Sequence, residues 1–119
     1  MTTTPVSGEA LIALAERVES APSHELESIC RELHAIHPTR NVNGTCASYL
    51  YDLRDAKRLI PKDHLYSICH DRNECRAVVA LDLAERENGF SAVPHSPNAE
   101  LRALVAAALR ARASISQGT

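Results

Sequence analysis

The sequence predicts an α+β domain: a small antiparallel sheet of two or three strands covered by three to four helices. Three observations point there. Apolar residues recur at three- and four-residue spacing near both ends of the chain, as on one face of a helix. The pattern changes to alternation between about residues 64 and 83, broken once by the polar run Asp71-Arg72-Asn73-Glu74. Helix-stopping and helix-starting residues (Pro22, Ser23, Pro38, Pro61, Ser96, Pro97) fall between these stretches.

Residues 1–7 are polar and read as a flexible arm. The first helix is expected from Glu9 to Ser20, with Leu11, Leu14, Ala15 and Val18 as its buried stripe and Ser7 as cap. Ala21-Pro22-Ser23 breaks it. Ser23 caps a second helix that buries Leu26, Ile29, Leu33 and Ile36 and stops before Pro38. Residues 39–45 are a loop. A short third helix is capped by Asp52, carries Asp55 three residues on, buries Leu53, Ala56, Leu59 and Ile60, and ends at Pro61. His64–His70 is a strand with Tyr66 and Ile68 on one face and Leu65 and Cys69 on the other. Cys75–Leu83 is its hairpin partner. Residues 82–89 read either as strand or as a helical turn; the Asn88-Gly89 pair favours a second hairpin into Phe90–Val93. Ser96 and Pro97 open the last helix, with Leu101, Leu104, Val105, Ala108 and Leu109 inward and Arg102, Arg110 and Arg112 in solvent. Residues 114–119 are expected to fray, so the domain is taken as residues 8–113.

The chain has 119 residues, 45% of them hydrophobic and 24% charged, which suits one globular domain. Only Tyr49, Tyr51, Tyr66 and Phe90 are aromatic, so the core must be aliphatic. A net charge of -2 does not favour a dedicated nucleic-acid coat. No apolar run is long enough to span a bilayer. The opening MTTTPVSGEA has neither a basic nor an apolar signal region, so a cytoplasmic location in a bacterial cell, with Cys30, Cys46, Cys69 and Cys75 as reduced thiols, is the expectation.

Three segments resemble a known family: EALIALAERVE at 9–19, YLYDLRDAKRLIPKDH at 49–64 and SPNAELRALVAAALRARA at 96–113. They are similar to the phage ABA-sandwich domain, found in small uncharacterised proteins of tailed phages and prophages. The resemblance implies an N-terminal helix, a Tyr-containing central helix ending in Pro, strands, and an alanine-rich last helix. It implies a phage origin and carries over no activity, since none is known for the family. The family carries Trp where His64 stands, and the second helix with Cys30, His34 and His37 lies outside the likeness.

Several residue sets have chemistry available to them. Cys30, His34 and His37 fall on one side of the second helix, and Cys46 in the following loop would complete a tetrahedral zinc site. The bland alternative makes Cys30 and His37 flanking residues of the core stripe. His64, Cys69, His70 and Cys75 form a second group, but neighbours on a strand face opposite ways, so Cys69 and His70 do not share an ion. A Cys–His nucleophilic pair lacks a glycine-rich elbow or an orienting acid, and no Walker, GxGxxG or HExxH pattern occurs. Arg54, Lys57, Arg58 and Lys62 make a basic run diluted by Asp52, Asp55 and Asp63, which reads better as a solvated face than as a nucleic-acid surface. The leading expectation is a non-enzymatic accessory protein that binds a bacterial protein or ribonucleoprotein complex stoichiometrically, with an anti-defence role such as CRISPR inhibition. Its contact residues would be Tyr49, Tyr51, Arg54, Arg58 and His64. No cofactor is required by that reading. A zinc-stabilised binding module is the first alternative and a small Cys–His enzyme or nucleotide-binding protein the second. Homodimerisation through the alanine-rich helix is a further expectation.

Overall fold

A three-stranded antiparallel sheet and four helices make up the α+β fold among the described residues. The computed structural model describes residues 8–36, 50–61, 63–80, 89–95 and 98–117. In sequence order the elements are α1 (Gly8–Ser20), a 3-10 turn (Ser23–Glu25), α2 (Leu26–Ile36), α3 (Leu53–Lys57), β1 (Leu65–His70), β2 (Glu74–Ala80), β3 (Phe90–Pro94) and α4 (Ala99–Gln117). The sheet order is β1-β2-β3. Among the described residues no helix is long and apolar enough to cross a membrane.

The alanine content of α4 explains the layering. Ala103, Ala106, Ala107 and Ala108 have no exposed surface, and Ala111 and Ala113 have almost none. Small side chains let neighbours approach closely on every side, so α4 lies between the sheet and α1 and touches α3 as well. This placement corrects two expectations. The alanines are covered by the protein's own elements, so they do not offer a face to a second copy. The arginines do not lie in solvent either. Arg102 is buried, Arg110 pairs with Glu19 of α1 at 2.8 Å, and Arg112 donates to the Leu59 carbonyl at 2.6 Å. Arg102 reaches across to the last turn of α1 and donates to the carbonyls of Val18, Glu19 and Ala21. These are carbonyls that a helix end leaves without partners, so the Arg102 guanidinium caps the C-terminal end of α1 from a different helix.

The sheet turns Ala77, Val79, Ser91 and Val93, all buried, toward α4. The other face carries Leu65, Cys69, Arg76 and Phe90, all exposed. Gly89, just ahead of β3, packs closely against both β2 and α4. A Cβ there would sit 2.0 Å from the Val79 carbonyl oxygen and 3.0 Å from Ala111 Cβ, while the Gly89 carbonyl accepts from Val79 N–H at 2.7 Å. Gly89→Ala is therefore expected to cost about 3 kcal/mol by forcing the chain ahead of β3 away from the Val79 carbonyl of β2 as well as from α4, a loss that urea unfolding would read directly.

Local chemistry adjusts several element boundaries. The helix expected through Ile60 ends at Lys57, and Arg58, Leu59 and Ile60 each donate three residues back, to Asp55, Ala56 and Lys57. This tightening fits a backbone about to enter Pro61, which disfavours α geometry at the residue before it. Asp52 caps α3 as expected, accepting from Arg54 N–H at 2.8 Å, and Asp55 pairs with Arg58 at 3.3 Å. The last helix starts at Ala99 rather than Pro97. Asn98 precedes it at φ 64, a left-handed value that Asn tolerates, and its carbonyl accepts the first helical bond from Arg102 N–H at 2.9 Å. Ser96 and Pro97 lie outside the described residues. At its other end α4 runs to Gln117, past the point where fraying was expected. The disputed stretch 82–88 is also outside the described residues, but the strand expected at Phe90–Val93 is present as β3. Leu11, Leu14, Val18, Leu26, Ile29, Leu33, Leu50, Leu59, Leu104, Val105 and Leu109 form the aliphatic core, with no aromatic among its described members.

Candidate metal centre

The β1–β2 turn prepares the site. Asp71 N–H donates to the Glu74 carbonyl at 3.0 Å, and the Asp71 carboxylate accepts from Asn73 N–H at 2.8 Å and Glu74 N–H at 3.0 Å. This Asx-type closure fixes the hairpin register. The Asn73 and Glu74 amides, with Arg76 beyond them, hold the Asp71 carboxyl below its ordinary range. In that register His70 pairs with Cys75 and Cys69 with Arg76. Paired residues share a face, so His70 and Cys75 both point to the α4 side while Cys69 points away. The separation of Cys69 from His70 follows the expectation. The juxtaposition of Cys69 and Cys75, which an odd-length turn would have produced, does not occur.

Strand β3 supplies the third member. Cys75 pairs with Val93, and two residues later His95 returns to the same face, its N–H donating to the Asn73 carbonyl at 3.2 Å. His70, Cys75 and His95 thus converge from the ends of three strands, beside the first turn of α4. One donor atom from each lies within 4.8 Å of the other two. Cys75 Sγ is 3.4 Å from His70 Nδ1 and 3.6 Å from His95 Nδ1. The imidazoles are nearly parallel, 10° apart in plane with centroids 6.4 Å apart. Cys75 is buried, whereas both histidines are exposed to a cleft of about 420 Å³ that Asn98, Ala99, Glu100 and Leu101 also line.

The far nitrogens of both rings are held as well. His95 Nε2 meets the Asp71 carbonyl oxygen, and His70 Nε2 is 3.1 Å from Glu100 Oε1. A carbonyl only accepts, so His95 Nε2 carries a proton, and in the neutral ring Nδ1 then keeps its lone pair. The Glu100 carboxylate selects the same tautomer in His70. Two imidazole lone pairs and one sulfur therefore face each other, and the single S–H proton can satisfy only one of the two nitrogens.

That arrangement fits a metal ion on three counts. A tetrahedral ion with Zn–S near 2.3 Å and Zn–N near 2.0–2.1 Å holds sulfur and nitrogen about 3.5 Å apart, which the two observed S···N distances bracket. Imidazole and thiolate together form a borderline-soft donor set that suits zinc. Each histidine already has the outer oxygen acceptor that orients metal-bound imidazoles. As a nucleophile Cys75 is poorly served. Burial pushes its thiol up, Glu100 and Asp71 add to the rise, and a thiol held protonated does not attack.

The described members of the helix-based zinc set and of the expected contact surface lie outside this site. Cys30 lies on the buried side of α2 with Ile29 and Leu33, and His34 is half-buried farther along that helix. His37 and Cys46 lie outside the described residues, so the structure places two members of that quartet. Of the expected contact residues, Tyr49 is also outside. Tyr51 and Arg54 are exposed at the start of α3, Arg58 is engaged with Asp55, and His64 is half-buried ahead of β1. Lys57 holds its ammonium 5.5 Å from the Tyr66 ring centroid. The residue that sequence reasoning missed is His95. The signal that could have found it is its two-residue offset from Val93, combined with the β2–β3 pairing that the Asn88-Gly89 turn suggested.

No family model, curated protein or solved structure matches this sequence.

Proposed function

We propose that the protein is a zinc-stabilised binding module whose ion is held by His70, Cys75 and His95. The observation that supports it is the orientation of the two imidazoles: both turn Nδ1 to the Cys75 sulfur and both have Nε2 on an oxygen acceptor. The ion would tie the β1–β2 turn to the end of β3, so its binding energy would add to the stability of the fold. This reading keeps zinc from the sequence analysis and moves it from the second helix to the sheet.

Its partner surface keeps Tyr51 and Arg54 from the sequence reading and adds Leu53, which was expected to be buried and is exposed. Tyr51 and Leu53, 53% and 44% exposed, stand beside Arg54 at the start of α3, an aromatic and cationic combination suited to a protein partner. A phage or prophage origin rests on the resemblance of residues 9–19, 49–64 and 96–113; a bacterial protein or ribonucleoprotein complex as the partner and an anti-defence role rest on what small phage accessory proteins often do, and on no residue of this chain.

Metal analysis of protein produced without added zinc tests the ion. One zinc per molecule is expected in the wild type and in Cys30→Ala/His34→Ala. Loss of zinc is expected in His95→Ala, a substitution at an exposed side chain that leaves the core intact. Retention of zinc by His95→Ala together with its loss from Cys30→Ala/His34→Ala would return the site to the second helix.

A further inference from the structure

The count of protein ligands leads one step further, and this step rests on the metal centre proposed above. Structural zinc sites are closed by four protein ligands, whereas three ligands leave an exchangeable position. Among the described residues three donors converge here. Glu100 lines the cleft, but its carboxylate is occupied at His70 Nε2. That nitrogen is across the ring from the Nδ1 that faces Cys75, so Glu100 orients the ligand rather than joining the set. Cys75 is buried and closes the protein side, while the two exposed histidines open onto the cleft of about 420 Å³. That volume falls within the range of small-molecule sites, well above the share of one water.

We propose that the fourth position of the His70–Cys75–His95 centre faces this cleft and takes a small monodentate anion from solution. Charge selects the class. A divalent ion with one thiolate and two neutral imidazoles keeps one positive charge, and an anionic donor neutralises it.

Cobalt(II) replaces zinc in such sites and reports each ligand in the visible spectrum, so the test is an azide titration of the cobalt-substituted full-length protein. The expected result is a sulfur-to-cobalt band, lost in Cys75→Ala, together with visible bands that shift saturably on azide addition. Glu100→Ala should bind azide as well. Visible bands unmoved by azide in the wild type would overturn the open position while leaving the metal centre standing. A shift seen in Glu100→Ala but not in the wild type would show that Glu100 fills the position, again overturning the inference. Absence of the sulfur-to-cobalt band would overturn the metal centre and this inference with it.

Discussion

Excess zinc added to metal-free protein is expected to raise its melting temperature strongly, and Cys75→Ala to abolish the rise. Ligand that binds only the folded state stabilises it by mass action, about 4 kcal/mol when free zinc exceeds its dissociation constant a thousandfold. For a domain of this length that corresponds to roughly 15 °C. The site gives the reason for the size. His70, Cys75 and His95 come from three strand ends separated in sequence, and the ligand cage exists only when β1, β2 and β3 are paired in the observed register. His70→Ala and His95→Ala should lose most of the rise too, each removing one donor from an exposed position. Differential scanning calorimetry with and without chelator checks all three variants. An equal zinc-induced rise in wild type and Cys75→Ala would show that the stabilising ion is elsewhere.

Arg102→Ala should be strongly destabilising although the residue lies outside the site. The guanidinium donates to the carbonyls of Val18, Glu19 and Ala21, at the point where α1 ends under α4. Burial lowers its pKa, but an arginine stays charged under such a shift, so it remains a charged donor. Removing it leaves these acceptors facing apolar packing with no replacement donor, at a cost of about 3 kcal/mol. That is a large share of the total stability of a domain this size. Arg102→Lys should recover part of the loss, since one ammonium cannot reproduce the guanidinium fork. Urea unfolding of both variants reads the difference. A loss under about 1 kcal/mol in Arg102→Ala would mean that water satisfies the end of α1.

The elements themselves were largely legible in the sequence, and what surrounds them was not. Periodicity marked α1 and α2, whereas Pro61 marked the end of the short helix three residues too late, because the chain tightens after Lys57. Alternation with the Asp71–Glu74 turn marked the hairpin. The arginines of α4 were misread because an amphipathic pattern assumes one wet face. In this helix Arg102 and Arg110 sit among alanines that are buried all round, so they reach into α1 instead of water. A helix so rich in alanine carries the information that neighbours approach on more than one side, but not which neighbours they are.

The candidate site was half legible. His70 and Cys75 were noticed, and their shared face depended on the parity of the turn. The Asp71 carboxylate decides that parity by closing onto Asn73 and Glu74 N–H. His95 belongs to the group only through the pairing of Cys75 with Val93, a long-range register that local pattern does not encode. The helix-based set of Cys30, His34, His37 and Cys46 attracted attention because helical spacing is easy to read, whereas a site assembled from three strand ends leaves no single local motif.

X-ray absorption at the zinc edge of the metal-loaded wild type tests the central claim most directly. The account predicts one sulfur near 2.3 Å and two imidazole nitrogens near 2.0–2.1 Å, completed by one light donor. A zinc shell without sulfur, or one with two sulfurs, would contradict it.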